Sequence, residues 1–181
     1  MAPRIAVIDY GSGNLRSVEK ALQKAGAEPV RCAEATTAAS CEAIVLPGVG
    51  SFGDCARSLE ERGLTGFLRE WLAADRPYLG ICLGYQILFD SSEESPGVRG
   101  LGHWPGRVVR FKEAPDHKVP HMGWNSLAWG SKDEIFSGVD DGAYVFFVHS
   151  FYPAPEDETL VTAWCDYGAV SYTHLTLPTK A

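Results

Sequence analysis

The chain has 181 residues, room for one globular domain of ordinary size and little for a second. Its 16 Lys plus Arg against 23 Asp plus Glu leave a net charge of −7, which argues against nucleic acid or an anionic membrane surface as the main partner and for a small substrate. With 45% hydrophobic and 22% charged residues, the composition excludes disordered, collagen-like and mucin-like classes.

Arg4 to Asp9 (RIAVID) is a short apolar run of the kind a buried parallel strand shows, and it stops at Gly11-Ser12-Gly13. Leu15, Val18, Ala21, Leu22 and Ala25 then fall on one stripe of a 3.6-residue period, and Gly26 is placed to end that helix. Pro29 to Cys32 reads as a second strand and Ala43 to Leu46 as a third, closed by a Pro-Gly turn. Ala56, Leu59, Phe67, Leu68, Trp71 and Leu72 supply apolar positions on one or two helical segments broken near Gly63. Pro77 to Ile81 is a fourth strand, and Leu83 to Phe89 begins another helix.

This alternation predicts an α/β fold with a mostly parallel sheet and helices on both faces. Beyond about residue 100 short β-like runs at Arg107 to Phe111, Tyr144 to Val148 and Thr159 to Cys165 predict a smaller antiparallel region. No linker or repeat justifies a boundary, so residues 1–170 are expected to form one domain.

No apolar run of about 18 residues is long enough to span a bilayer, and Met1 to Asp9 lacks the basic and apolar regions of a signal peptide, so a cytoplasmic location is expected. Cys32, Cys41, Cys55, Cys82 and Cys165 are scattered, with no C-x-x-C and no His at ligand spacing, so neither a disulfide framework nor a metal site is expected.

Gly80-Ile81-Cys82-Leu83-Gly84 is a G-x-C-x-G set between a strand and a helix, the thiol version of a nucleophile elbow. Small residues two positions either side let the turn be sharp. A helix N-terminus there favours thiolate, and the N–H of Leu83 can face an oxyanion. The alternative at this point is a buried structural cysteine in a tight turn.

Asp9 to Val18 (DYGSGNLRSV), Leu46 to Gly53 (LPGVGSFG), Gly80 to Gln86 (GICLGYQ), Gly100-Leu101-Gly102, Val119 to Asn125 (VPHMGWN) and Phe147 to Ser150 (FVHS) follow one another in a familiar order. Over about residues 4 to 170 the chain resembles the glutamine amidotransferase subunits of imidazole glycerol phosphate synthases. The resemblance implies the class I glutamine amidotransferase fold and hydrolysis of L-glutamine to glutamate and ammonia through a glutamyl thioester on Cys82. It implies oxyanion contacts from Val49, after rearrangement, and Leu83, and glutamine-holding roles for Gly50, Gln86 and Glu94, with His149 and Ser150 lining the same pocket. No cofactor is implied. On the same resemblance, the ammonia is expected to pass to a (β/α)₈ cyclase subunit in a heterodimer, giving imidazole glycerol phosphate and an aminoimidazole carboxamide ribonucleotide in histidine biosynthesis. Asn14, Met122 and Trp124 fall in motifs that look like the subunit interface, although core packing is the commoner fate of Met and Trp.

Gly48 to Gly53 is also a literal G-x-G-x-x-G after a strand, with Glu70 at about the spacing of a ribose-binding acid. Such a fingerprint normally follows the first strand, and Glu70 reads as part of a helix. A catalytically silent docking subunit of the same complex is the other alternative. His103, His117 and His121 read as solvated or structural, and His149 is not the family's base.

The family completes its triad with a His-Pro-Glu set near the C-terminus, and none occurs in these 181 residues. Residues 171–181 match nothing in the family and resemble translated adapter or vector sequence, and His174 there is followed by Leu-Thr. A base needs a third group to orient it, so little or no glutaminase activity is expected of this chain.

Overall fold

Three of the five residues of β1 (Arg4–Ile8), namely Ala6, Val7 and Ile8, are fully buried, as the apolar run requires. The computed structural model describes residues 1–115, 117–130, 137–168 and 170–175, the last stretch by its backbone path alone. These fall into two compact units, Met1–Trp104 and Pro105–Ala181.

In the first unit β1 leads through a Gly-rich turn to α1 (Leu15–Lys24), which ends at Ala25 before the left-handed Gly26. β2 (Glu28–Cys32), α2 (Ala35–Ala39) and β3 (Ala43–Gly48) follow. α3 (Phe52–Glu61) and α4 (Leu64–Ala73) meet at the left-handed Gly63, where the apolar pattern breaks. β4 (Tyr78–Cys82) is followed by α5 (Leu83–Gln86) and β5 (Phe89–Ser92). The strands form a parallel sheet in the order β2, β1, β3, β4, with Gly48 of β3 opposite Cys82 of β4. Its core is closed by buried Ile44, Leu46, Phe52, Leu59, Leu64, Leu68, Ile87 and Phe89. Truncating any one of the leucines to Ala is expected to cost about 2–5 kcal/mol.

In the first unit several elements differ from the sequence expectation, β5 among them. The helix foreseen from Leu83 to Phe89 stops after four residues. The carbonyls of Ile87 and Leu88 instead accept the N–H groups of Leu101 and His103, at 2.7 and 2.8 Å, so no further helical turn forms. β3 continues through Pro47, opposite Ile81, instead of turning after Leu46. The short α2 was not foreseen.

In the second unit β6 (Trp104–Arg110) pairs antiparallel with β10 (Phe151–Pro155), and β7 (His121–Ser126) with β9 (Tyr144–His149). β11 (Val161–Asp166) lies between β8 (Ala128–Trp129) and β12 (Val170–Leu175), antiparallel to both. Thr159, expected in a strand, belongs to a 3₁₀ turn, Glu158–Leu160, whose N–H it donates to the Asp157 carboxylate at 2.9 Å. The antiparallel texture is therefore as expected. Phe111 anchors an aromatic cluster with His121, His149, Tyr152 and Tyr167. His121 is buried, stacked between Phe147 and Tyr167, and burial pushes its pKa down to about 4. Of the segment read as foreign, residues 171–175 continue β12, while residues 176–181 and the His174 side chain lie outside the described residues.

Candidate active site

Cys82 ends β4 with φ 55° and ψ −111°, one of two non-glycine residues at positive φ among those described. Such a conformation costs on the order of 1–3 kcal/mol and persists only where the surroundings impose it. Here they do. A Cβ on Gly80 would lie 2.5 Å from the Gly84 carbonyl oxygen, and one on Gly84 would lie 1.7 Å from the Leu46 carbonyl oxygen. The two glycines let the start of α5 press against β3 and β4 while Cys82 turns outward. The Tyr78 hydroxyl donates to the Gly84 carbonyl at 2.7 Å, fixing the turn from below.

Cys82 is the exposed thiol of the five; Cys32, Cys41, Cys55 and Cys165 are buried. The Leu83 N–H donates to its sulfur and favours the thiolate. Desolvation outweighs this and the Glu94 charge adds to it, so the thiol pKa lies above the ordinary value. The N–H at the helix start thus acts in the direction the sequence leads one to expect, toward thiolate. A four-residue helix offers one aligned N–H, and burial beside a carboxylate wins.

The register that sets Gly48 opposite Cys82 brings the Val49-Gly50-Ser51 loop off the end of β3 beside the end of β4. Val49 is 57% exposed, and its carbonyl accepts a hydrogen bond from the Ser12 hydroxyl at 2.9 Å. Gly50 sits at φ +102°. The loop runs straight into α3, whose first three N–H groups are all capped. Phe52 donates to the Glu94 carboxylate at 2.7 Å, Gly53 to the Ser95 hydroxyl at 2.9 Å, and Asp54 to the Ser51 hydroxyl at 3.2 Å. Capping is worth about 1 kcal/mol per residue.

Val49, Gly50, Leu83 and Glu94 are therefore gathered around Cys82, and Gln86 lies buried on α5. Asn14 is exposed at the N-cap of α1 and makes no side-chain cap bond. His149, Ser150, Met122 and Trp124 belong to the second unit. There the His149 Nδ1 bonds the Phe151 carbonyl at 2.9 Å, its Nε2 is buried without a partner, and burial lowers its pKa. The Ser150 carbonyl accepts the Phe111 N–H at 3.0 Å. Met122 and Trp124 are 64% and 68% exposed, so the core-packing alternative for them does not hold. Sequence reasoning missed Ser12, Tyr78 and Ser95. The first lies within the quoted DYGSGN motif, but hydrogen bonds across 37 residues leave no local signature.

The dinucleotide alternative also fails on position. The G-x-G-x-x-G run follows β3 instead of β1, and Glu70 lies within α4 instead of at a strand end.

A class I nucleophile elbow with a Cys at its apex, set at the C-terminal end of a parallel sheet, defines the class, and the comparisons agree with it. The model of the family "Glutamine amidotransferase class-I" matches residues 6–179, and the chain belongs to this family. The match runs past residue 170, where the resemblance in the quoted motifs ends. Relatives narrow the class. The imidazole glycerol phosphate synthase subunit HisH of Geobacter sulfurreducens is 46% identical over 170 residues, covering 91% of this chain and 81% of the relative. That of Aquifex aeolicus is 45% identical over 166 residues, covering 91% and 79%. Among solved structures, a glutamine amidotransferase matches with TM-score 0.68 at 17% identity, over 93% of this chain and 87% of that one. The PurLQS structure from Thermotoga maritima matches with TM-score 0.66 at 22% identity, over 92% and 77%. At these identities the structural matches speak for the fold alone.

Proposed function

We propose that this chain is the glutaminase subunit of an imidazole glycerol phosphate synthase, releasing ammonia from L-glutamine for a cyclase partner. The observation that carries the reading is Cys82 held outward at a strained elbow, with the Leu83 N–H on its sulfur. The Cys82 thiolate attacks the side-chain amide carbon of glutamine. The oxygen that becomes negative accepts the N–H of Leu83 and, once the Gly48–Val49 peptide turns, that of Val49. Collapse, with the proton taken from the thiol delivered to the leaving nitrogen, expels ammonia and leaves a glutamyl thioester, which water hydrolyses to glutamate. Because burial and the Glu94 charge push the Cys82 thiol pKa up, the first step needs a base to take its proton. Gly50, Gln86 and Glu94 are assigned to holding the substrate.

The partner reading rests on the β7–β9 ribbon. Met122 lies opposite Val148, Trp124 opposite Phe146 and Ser126 opposite Tyr144. Alternate residues of a strand share a face, so Met122, Trp124, Tyr144, Phe146 and Val148 form one apolar stripe, each at least 56% exposed. A stripe of this kind marks a protein-binding surface, and the relatives carry the word subunit in their names. A (β/α)₈ cyclase is the occupant assigned here.

The test is glutamate release with the cyclase present, comparing this chain, Cys82→Ala and a version carrying a complete family C-terminus. Cys82-dependent glutamate release by the version with the complete C-terminus supports the reading; release that survives Cys82→Ala overturns it.

A further inference from the structure

Tyr10 lies in the bend two residues past the end of β1 and is 2% exposed, yet its hydroxyl forms no hydrogen bond of ordinary geometry. Buried hydroxyls are nearly always satisfied, so an orphan of this kind asks for an explanation. Its polar surroundings are the Cys55 thiol and the Ser12 hydroxyl, with Cys82 further off. Neither neighbour settles it. The Ser12 hydroxyl gives its proton to the Val49 carbonyl at 2.9 Å, and a thiol is a weak partner. The hydroxyl lies directly against the oxyanion loop, because a Cβ built on Gly48 would stand 2.6 Å from its oxygen.

The peptide that must turn is the one between Gly48 and Val49. It is held at both ends. Gly48 is fixed by its strand register opposite Cys82, and Val49 by the bond from Ser12 to its carbonyl. Turning that peptide exchanges the positions of the Gly48 carbonyl and the Val49 N–H while leaving both anchors in place. The displaced carbonyl then needs a donor on the protein side of the loop, where water is excluded.

We propose that Tyr10 is a positioning residue of the oxyanion loop, its unpartnered hydroxyl receiving the Gly48 carbonyl when the peptide turns its N–H toward the substrate oxyanion. The proposal rests on the glutaminase reading and deepens it. The hydroxyl is unsatisfied in the resting loop and satisfied in the turned one, so it biases the loop toward the state that stabilises charge. The consequences for stability and for chemistry then have opposite signs. Removing the oxygen relieves an orphan at rest and removes a partner in the turned state.

The experiment compares the unchanged chain and Tyr10→Phe, each in complex with the cyclase subunit, using two reagents that label Cys82. A chloromethyl ketone built on the glutamine side chain first takes the sulfur onto its carbonyl carbon, which makes an oxyanion; the sulfur then bonds the methylene carbon as chloride leaves, and the first carbon–sulfur bond breaks as the C=O re-forms. Iodoacetamide is displaced directly, with iodide leaving and no oxyanion. Tyr10→Phe is expected to slow ketone labelling roughly tenfold, the loss of one hydrogen bond in a transition state, with iodoacetamide labelling unchanged and Tm equal or higher. An unchanged ratio of the two rates overturns the proposal, as does a fall in Tm of several degrees, which would mean that the hydroxyl is already bonded at rest. If L-glutamine does not protect Cys82 of the unchanged chain from the ketone, the glutaminase reading itself fails and the role of Tyr10 with it.

Discussion

The Glu94 carboxylate accepts the Phe52 N–H at 2.7 Å, and its charge also raises the pKa of the Cys82 thiol. One side chain thus stabilises the start of α3 and opposes ionisation of the nucleophile. The two effects separate by substitution. Glu94→Gln keeps an acceptor for Phe52 and removes the charge, so Cys82 alkylation by iodoacetamide at neutral pH is expected to speed up about two- to fivefold with little change in Tm. Glu94→Ala speeds it as well and loses the cap, about 1 kcal/mol by denaturant titration. An unchanged alkylation rate in both would show that Glu94 does not bear on the sulfur.

Gly84→Ala and Gly66→Ala should move stability in opposite directions. The first drives a methyl to 1.7 Å from a backbone oxygen and is expected to cost more than about 4 kcal/mol or to prevent folding. Gly66 sits inside α4 with open space around it, so Ala there is expected to add about 0.5–1 kcal/mol. Thermal melts of the two variants decide the matter.

Acid should destabilise the second unit through its buried imidazoles. His121 titrates near 4 folded and near 6.5 unfolded, so between these values the unfolded chain binds more protons and stability falls as pH falls. The loss is complete below about pH 4 and amounts to about 3 kcal/mol at most, with His149 shifted in the same direction. Urea titrations from pH 7 to pH 4 should show this slope, and His121→Leu should flatten it.

Trp124→Ala is expected to leave Tm within a degree or two, because the side chain is 68% exposed, and to weaken binding to the cyclase tenfold or more. Calorimetric titration of the two subunits measures the second effect. Binding that survives the loss of both Trp124 and Phe146 would place the interface elsewhere.

What the sequence disclosed and what it withheld divide along physical lines. β1, α1 and the break at Gly63 were readable because apolar period and glycine conformation are local properties. The elbow was readable for the same reason, since the need for glycine at positions 80 and 84 shows in five consecutive letters. α5 was overestimated because residues fourteen or more positions away, Leu101 and His103, take the carbonyls that would have extended it. The influences that push the thiol pKa up were equally hidden. Helix position is local, whereas desolvation and the Glu94 charge arrive through folding. The α3 caps from Glu94 and Ser95 span 42 residues and were equally invisible.

The β7–β9 ribbon carries a further consequence for how the protein has to be made. Trp124, Phe146 and their neighbours face water whenever the chain is alone, and such a stripe recruits copies of itself or chaperones as readily as a proper partner. Matched synthesis of the two chains is then a condition of solubility. Yield from single-chain expression should drop with protein concentration and recover when the cyclase is supplied in equal amount.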